Sequence, residues 1–437
     1  MSSAEIGAYA VVALIVLIYI GMPIAISMLG VSFVGVALIR NETVAVRMIG
    51  AVANDSLREY LFAVVPLFVL MGLLVTVSGV GKDTFDVFER LLRRVTAGLG
   101  IATVFANAIF ASITGISIAS ATVFARVAVP EMVRHGYTSR FATGVVAGSS
   151  VLGMLIPPSL LMIVYAVLAE ESVGRMFLAG IGPGLLLALV FTVTIMLLAR
   201  RRQRLVFDNP DDITRYIDLS AGAMLRKSVP IVILMLLVLG GLYGGFFNPT
   251  EAGAAGAFGA LVIAILRRSL RGRLFWSLLV ETGQITVSVL FLIVAATFFS
   301  RMLALSGVPR ELAEFFLSGP IGPHGFLAVY LVLIIAMGCL IDSISIMLIL
   351  LPIALPVAKA AGFDLIWFGV LTVVSVEVGL LTPPFGLSVY TIKMALDDKE
   401  LKVGEIFRGT LPFVFAMLFS IIIIIIFPPI ATWLARL

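Results

Sequence analysis

The dipeptide Pro157-Pro158 returns as Pro383-Pro384, and the same displacement of 226 residues carries Pro130 onto Pro356, Gly136 onto Gly362 and Gly153 onto Gly379 with no gap. Nearer the N-terminus it carries Pro23 onto Pro249 and Gly30 onto Gly256. Between 117 and 161 the displacement preserves 11 of 45 residues, and most of these are helix breakers or hydroxyls, Ser117, Ser149, Gly153, Pro157 and Pro158 among them. A chain that repeats its helix breakers in register is built from two copies of one structural unit.

Composition says where those units sit. Hydrophobic residues fill 61% of 437 positions and charged residues 13%, against roughly 45 to 50% apolar usage in soluble domains. This is an integral membrane protein. Its long apolar stretches, interrupted by Gly and Pro, indicate helices rather than the short alternating strands of a barrel. The opening Met-Ser-Ser-Ala-Glu-Ile-Gly lacks a basic region and a cleavage site, so no signal peptide is expected and the first apolar segment stays in the protein. A single cysteine, Cys339, excludes an internal disulfide framework and a multi-cysteine metal site. His135 and His324 fall at expected loop ends on opposite sides, so neither a transition-metal site nor a histidine-based catalytic centre is expected, and no nucleic-acid partner either.

Stretches long enough to cross a bilayer, at ~20 residues each, occur at about 4–22, 23–39, 59–80, 141–166, 176–199, 229–247, 249–266, 276–300, 364–392 and 407–434. Two others, about 97–130 and 324–358, are too long for one crossing and carry Gly and Ser at mid-length. They are expected to be re-entrant hairpins. With both hairpins returning to their own side, the clusters at 82–94, 134–140, 200–227, 267–273 and 393–408 share one face, which with Arg126 holds 22 of the 30 basic residues. The excess of Lys and Arg makes that face cytoplasmic and puts both termini outside. Each half then has five crossings and one hairpin, and an odd number of crossings forces the second half to run inverted. Residues 1–200 form the first repeat, 201–228 a cytoplasmic linker with an amphipathic interfacial helix, and 229–437 the second repeat.

In each half the hairpin tip and the following Gly-x-x-x-Pro-Pro bend, Gly153 to Pro158 and Gly379 to Pro384, release backbone carbonyls and amides near the bilayer midplane. Unsatisfied backbone in hydrocarbon costs several kcal/mol per group, so such breaks persist where they are buried in protein or line a cavity. Freed carbonyls suit a cation such as sodium, and half-helix amino ends favour an anionic group. The bland alternative is a proline kink that only shapes packing. Hydroxyls beside the breaks are Ser117, Ser149 and Ser150 in the first half, and Ser343, Ser345, Ser375 and Thr382 in the second. Each is either a ligand or bonded to the carbonyl one turn back.

Three charged residues stand alone in apolar stretches of the second half: Arg301, Asp342 and Glu377. A midplane charge costs about 2.5 to 3.5 kcal/mol on insertion scales, which marks such residues as functional. Asp342 and Glu377 would hold a cation, accept a proton or orient the tip; their counterparts under the displacement are Ile116 and Val151. Arg301 either meets a substrate carboxylate with its fork of donors or snorkels from a helix end.

The runs Ser120-Ala-Thr-Val-Phe-Ala-Arg-Val-Ala-Val-Pro-Glu-Met-Val-Arg-His-Gly-Tyr137 and Leu152-Gly-Met-Leu-Ile-Pro-Pro-Ser159 resemble the large membrane subunit of tripartite ATP-independent periplasmic (TRAP) transporters. Gly338-Cys-Leu-Ile-Asp-Ser-Ile-Ser345, Gly362-Phe-Asp-Leu-Ile-Trp-Phe-Gly369, Gly379-Leu-Leu-Thr-Pro-Pro384 and Phe407-Arg-Gly-Thr-Leu-Pro-Phe413 are similar to that family's patterns, so the resemblance spans almost the whole chain. It implies an all-α polytopic protein of the ion-transporter superfamily, elevator type, importing an organic acid with sodium as the coupling ion and no other cofactor. It also implies two partners, a periplasmic substrate-binding protein and a separate small membrane subunit. Carried over, the family's sodium sites fall on Gly115, Ser117, Ser150, Gly153 and Pro157, and on Gly338, Ser343, Gly379, Thr382 and Pro383. The first tip, Thr114-Gly-Ile-Ser-Ile-Ala-Ser120, is poorer in Gly and Ser than many members. The rival readings are a stand-alone sodium/divalent-anion symporter of similar fold, an ion channel, and an intramembrane enzyme.

Overall fold

The computed structural model describes residues 1–208, 220–396, 398 and 400–436, apart from the side chains of Leu57 and Leu61. Among the described residues it is helical throughout. The first half contains α1 (Ser3–Tyr19), α2 (Ile24–Ile39), α3 (Glu42–Arg58), α4 (Val64–Val77), α5 (Val80–Leu92), α6 (Gly98–Thr114), α7 (Ser117–Arg134), α8 (Ser139–Ser150), α9 (Leu160–Ala169) and α10 (Val173–Arg201). The second contains α11 (Ala221–Met235), α12 (Pro249–Leu266), α13 (Gly272–Ser306), α14 (Val308–Ser318), α15 (Gly322–Gly338), α16 (Ser343–Ala360), α17 (Leu365–Leu380), α18 (Leu387–Leu396) and α19 (Val403–Ile426).

Local chemistry sets many of these starts. Ser2 with Glu5 and Asn248 with Glu251 form reciprocal capping boxes, the latter followed by Pro249 at the first helical position. Asn41, Thr138, Ser159, Ser172 and Asp364 each accept an amide of the first turn they precede.

Helix boundaries follow the 226-residue displacement. It lays Ser117–Arg134 on Ser343–Ala360 residue for residue, and the start of α8 on the start of α17. It also brings α2 within one residue of α12 at both ends. One place differs. α3 and α4, separated by the 3-10 turn Tyr60–Ala63, correspond to the single 35-residue helix α13.

The apolar runs place no element between 39 and 59, where the structure has α3, an amphipathic helix that buries Ala45 and Val52. Its apolar residues follow a period of 3.6 rather than forming a run, so a search for apolar runs passes over it. Among the described residues six helical stretches are long and apolar enough to cross a membrane, with two further bent pairs, α4 with α5 at 64° and Ser139–Leu155 with α9 at 41°. α1 and α2, at 17 and 16 residues, are apolar but shorter, and the expected crossing 364–392 is divided between α17 and α18. α16 alone is long enough to cross, so re-entry there depends on the break before it rather than on its length. The interfacial helix expected in the linker falls largely on 209–219, outside the described residues. Within the linker, Gln203–Val206 form one helical turn.

Packing sorts the helices across the two halves. α1, α2 and α4 pack with α12 and α13, whereas α5 to α8 pack around the first tip and α17 with α15 and α19 around the second. The halves interlock where α8 meets α19: a Cβ on Gly144 would stand 2.1 Å from the carbonyl oxygen of Gly409. The basic clusters assigned to one face are joined in space. Lys227 bonds Asp86 and pairs with Asp83, Arg267 pairs with Asp83 at 2.5 Å, and Arg140 lies 4.0 Å from Glu405. Arg126 Nε donates to the Ala395 carbonyl at 3.2 Å, and Thr138 N to that of Val206 at 2.9 Å.

Candidate functional site: two tips against two bends

α6 ends because Gly115 adopts φ +65°, a left-handed conformation that glycine takes without a Cβ penalty, and its N–H closes the last turn on Ala111 O at 2.8 Å. Gly115 reaches the bend of its own half: a Cβ on it would lie 2.8 Å from Pro158 O, and Leu160 N donates to Gly115 O at 3.3 Å. Gly153 packs on the same turn of α6, with Ala111 Cβ 2.8 Å from where its own Cβ would be. Ser159 closes the bend by donating to Met154 O at 2.6 Å while accepting Met162 N–H at 3.2 Å.

The second half repeats the arrangement with different atoms. A Cβ on Gly338 would stand 2.7 Å from the Cα of Gly379, and Phe385 N donates to Cys339 O at 3.2 Å. Both Pro157-Pro158 and Pro383-Pro384 are cis. The structure thus sets Gly115 against Pro158 and Gly153 against Ala111 in one half, and Gly338 against Gly379 in the other.

The hydroxyls divide. Ser150 donates to Ala147 O at 2.8 Å and Thr382 to Val378 O at 2.7 Å, the ordinary bond to the preceding turn. Ser149 donates to Val146 O at 3.3 Å and accepts from Asn107 Nδ2 at 2.8 Å. Ser345 donates to Asp342 Oδ1 at 2.5 Å, and its amide to Asp342 Oδ2 at 3.1 Å. Asp342 is therefore the exposed N-cap of α16. Ser117, Ser343 and Glu377 converge although they come from three helices. Ser343 Oγ lies 3.5 Å from Glu377 Oε1, and the Ser117 hydroxyl faces the same carboxylate. Among the described residues, Ser117 Oγ, Glu377 Oε2 and Ser375 Oγ are buried without a hydrogen-bond partner.

Arg301 is engaged elsewhere. It pairs with Asp55 of α3 at 3.0 Å and lines, with Ser56, Glu59 and Glu170, a cleft of about 300 Å³ whose lining includes none of the tip residues.

Sequence reasoning passed over Asn107, whose Oδ1 is buried and unbonded; an amide inside the apolar run 97–130 is the signal that marks it. It also passed over the surroundings of His135. This residue is buried, its Nδ1 is 2.8 Å from Glu131 O, and Glu89, Glu131 and His135 each bring a ligand-type atom within 4.8 Å of the others. A carbonyl only accepts, so Nδ1 carries the ring proton.

Breaks packed against breaks inside a bundle of apolar helices define a multi-pass membrane protein of transporter architecture. The chain belongs to the family described as "Tripartite ATP-independent periplasmic transporter, DctM component", whose profile matches residues 11–430. It is 32% identical over 388 residues to the C4-dicarboxylate TRAP transporter large permease protein DctM of Pseudomonas aeruginosa, covering 89% of each chain. It is 29% identical over 416 residues to the sialic acid TRAP transporter large permease protein SiaM of Vibrio cholerae, covering 94% of each. Among solved structures, the Alcanivorax borkumensis YdaH transporter matches with a TM-score of 0.59 at 14% identity over 85% of each chain, a likeness of fold.

Proposed function

We propose that this chain is the large permease of a sodium-coupled secondary transporter that imports an organic acid handed over by a periplasmic binding protein. It works beside a separate small membrane subunit in the bacterial inner membrane, with both termini periplasmic. The observation that carries the reading is the doubled contact of tip and bend, Gly115 on Pro158 and Gly338 on Gly379. Equivalent breaks in both halves would present carbonyls to sodium at Gly115, Ser117, Ser150, Gly153 and Pro157, and at Gly338, Ser343, Gly379, Thr382 and Pro383. Sodium would order each tip against its bend, and the substrate carboxylate would enter between them; coupling is then the linkage of two binding equilibria.

The two repeats would run inverted in the membrane, with α1, α2, α4, α12 and α13 as scaffold and the tips and bends as the body that moves in an elevator cycle. The substrate class follows from the relatives, whose names specify C4-dicarboxylates and sialic acid. The test is uptake into proteoliposomes containing this chain and the small subunit. Accumulation should require both an inward sodium gradient and the binding protein. Uptake that proceeds without the binding protein would instead identify a stand-alone symporter, and flux indifferent to the sodium gradient a channel.

A further inference from the structure

We propose that the outward face of α13 around Glu281 and Gln284 seats the small membrane subunit, which meets it with a membrane helix carrying a basic residue. This rests on the two-subunit reading above and names the surface that joins the subunits.

Ser277, Glu281, Gln284 and Ser288 follow one another at intervals of four, three and four residues, so they form one stripe along α13, and all four are exposed. Polar groups on the outside of a crossing helix are costly, because hydrocarbon offers them no partner. Trp276 is 68% exposed and lies three residues after Arg273, as aromatic residues do where a helix enters the membrane. At 1.5 Å per residue, Glu281, Gln284 and Ser288 then sit roughly 8, 12 and 18 Å further in. Beside the stripe, a Cβ on the exposed Gly283 would touch nothing within 4 Å. That opening lets a second helix approach closely.

The chain satisfies the equivalent carboxylate of its first half but not this one. Under the repeat displacement Glu281 falls on Asp55, and Arg301 on Val75. Asp55 pairs with Arg301 at 3.0 Å, so the first copy draws its cation from the second. For Glu281 the position that should return the favour holds a valine. Among the described residues neither Glu281 nor Gln284 has a side-chain hydrogen bond or ion pair.

The charge selects the occupant. A second copy of this chain, related by a two-fold axis normal to the membrane, would set Glu281 against Glu281, like charge on like charge. A different helix with Lys or Arg toward its cytoplasmic end, the usual bias of membrane segments, brings a cation to the depth of Glu281. An amide or hydroxyl one to two turns deeper on that helix would bond Gln284 and Ser288. α13 packs with α1, α2 and α4, the group read above as scaffold, so a subunit seated there stays in place while the tips and bends move.

The test is photo-crosslinking in membranes that hold the full-length chain and the small subunit. A benzophenone amino acid replacing Gln284 should give a covalent product with the small subunit, and the same residue replacing Leu185, 62% exposed on α10, should not. Glu281→Lys should lower co-purification of the small subunit at least tenfold. Glu281→Gln, which keeps size and shape, should lower it several-fold and supplies the answer should the lysine variant fail to fold. Unchanged co-purification in both variants overturns the proposal, as do crosslinks from position 284 to lipid alone or equal products from both positions. A product of twice the mass of the chain would make the face a self-interface and overturns it too. Failure of the small subunit to associate with the unmodified chain would instead remove the two-subunit reading itself.

Discussion

Gly338 and Gly379 meet backbone to backbone: a Cβ on Gly379 would come within 2.5 Å of the Cα of Gly338 and 2.8 Å of Ile335 O. Neither α15 nor α17 can yield a flexible atom there. Gly379→Ala should therefore push the second tip off its bend, at a cost in the overpacking range of about 1 to 3 kcal/mol. A lowered thermal midpoint with near-complete loss of uptake is expected, and wild-type uptake in this variant would mean the contact is dispensable.

At the first tip two effects are separable. Gly115 has φ +65° and also lies against Pro158 O. Asn tolerates the left-handed region better than Ala does, but both carry a Cβ. If the close approach dominates, Gly115→Asn and Gly115→Ala should impair uptake equally; a clearly milder Asn variant would show that only the backbone angle matters. Paired uptake assays decide.

Asp342 and its neighbour Ser343 should fail in different ways. Asp342 caps α16, and removing a cap costs about 1 kcal/mol, with Asn nearly as good a cap as Asp. Asp342→Ala is expected to lower thermal stability and weaken uptake, and Asp342→Asn to restore most of both. Ser343→Ala should leave stability and membrane insertion unchanged and raise the sodium concentration for half-maximal uptake several-fold. Sodium titrations of uptake, run beside melting curves, check the pair.

Arg301 and Asp55 form a partly exposed pair at 3.0 Å in a polar cleft. As an exposed ion pair it contributes about 0.2 to 1 kcal/mol to stability, so melting curves of Arg301→Gln and Asp55→Asn should move little. Uptake separates the two roles of the arginine. If it receives a substrate carboxylate, Asp55→Asn should improve apparent affinity while Arg301→Gln abolishes uptake. Equal, small effects from both would leave Arg301 as a helix-end anchor.

Lys227 joins α11 to Asp83 and Asp86 of α5, and Asp86 is buried. Lys227→Met leaves these carboxylates without that donor, a loss of about 1 to 3 kcal/mol. A melting midpoint lowered accordingly, and largely recovered by Lys227→Arg, is the expected result.

What could be read from residue order was whatever depends on local backbone chemistry. The repeated Gly and Pro positions marked both bends, Gly and Ser at mid-length of two over-long apolar stretches marked both tips, and the arms α7 and α16 begin at the serines that order had already paired, Ser117 and Ser343. Contacts between distant segments were not legible. Arg301 and Asp55 are separated by 246 residues, and no periodicity connects them. Nor does any spacing announce that Ser117 and Ser343, assigned to different ion sites, face one carboxylate. α3 was missed for a different reason, because half its surface is polar and its apolar residues are spread around turns rather than massed.

α13 is unbroken over 35 residues, about 52 Å at 1.5 Å per residue, against a hydrocarbon layer of ~30 Å. It must lean or jut out of the membrane. Its counterpart in the first half is interrupted by the 3-10 turn Tyr60–Ala63. The duplicated halves are thus unlike in this element: one covers the distance with a single continuous rod, the other with two shorter ones.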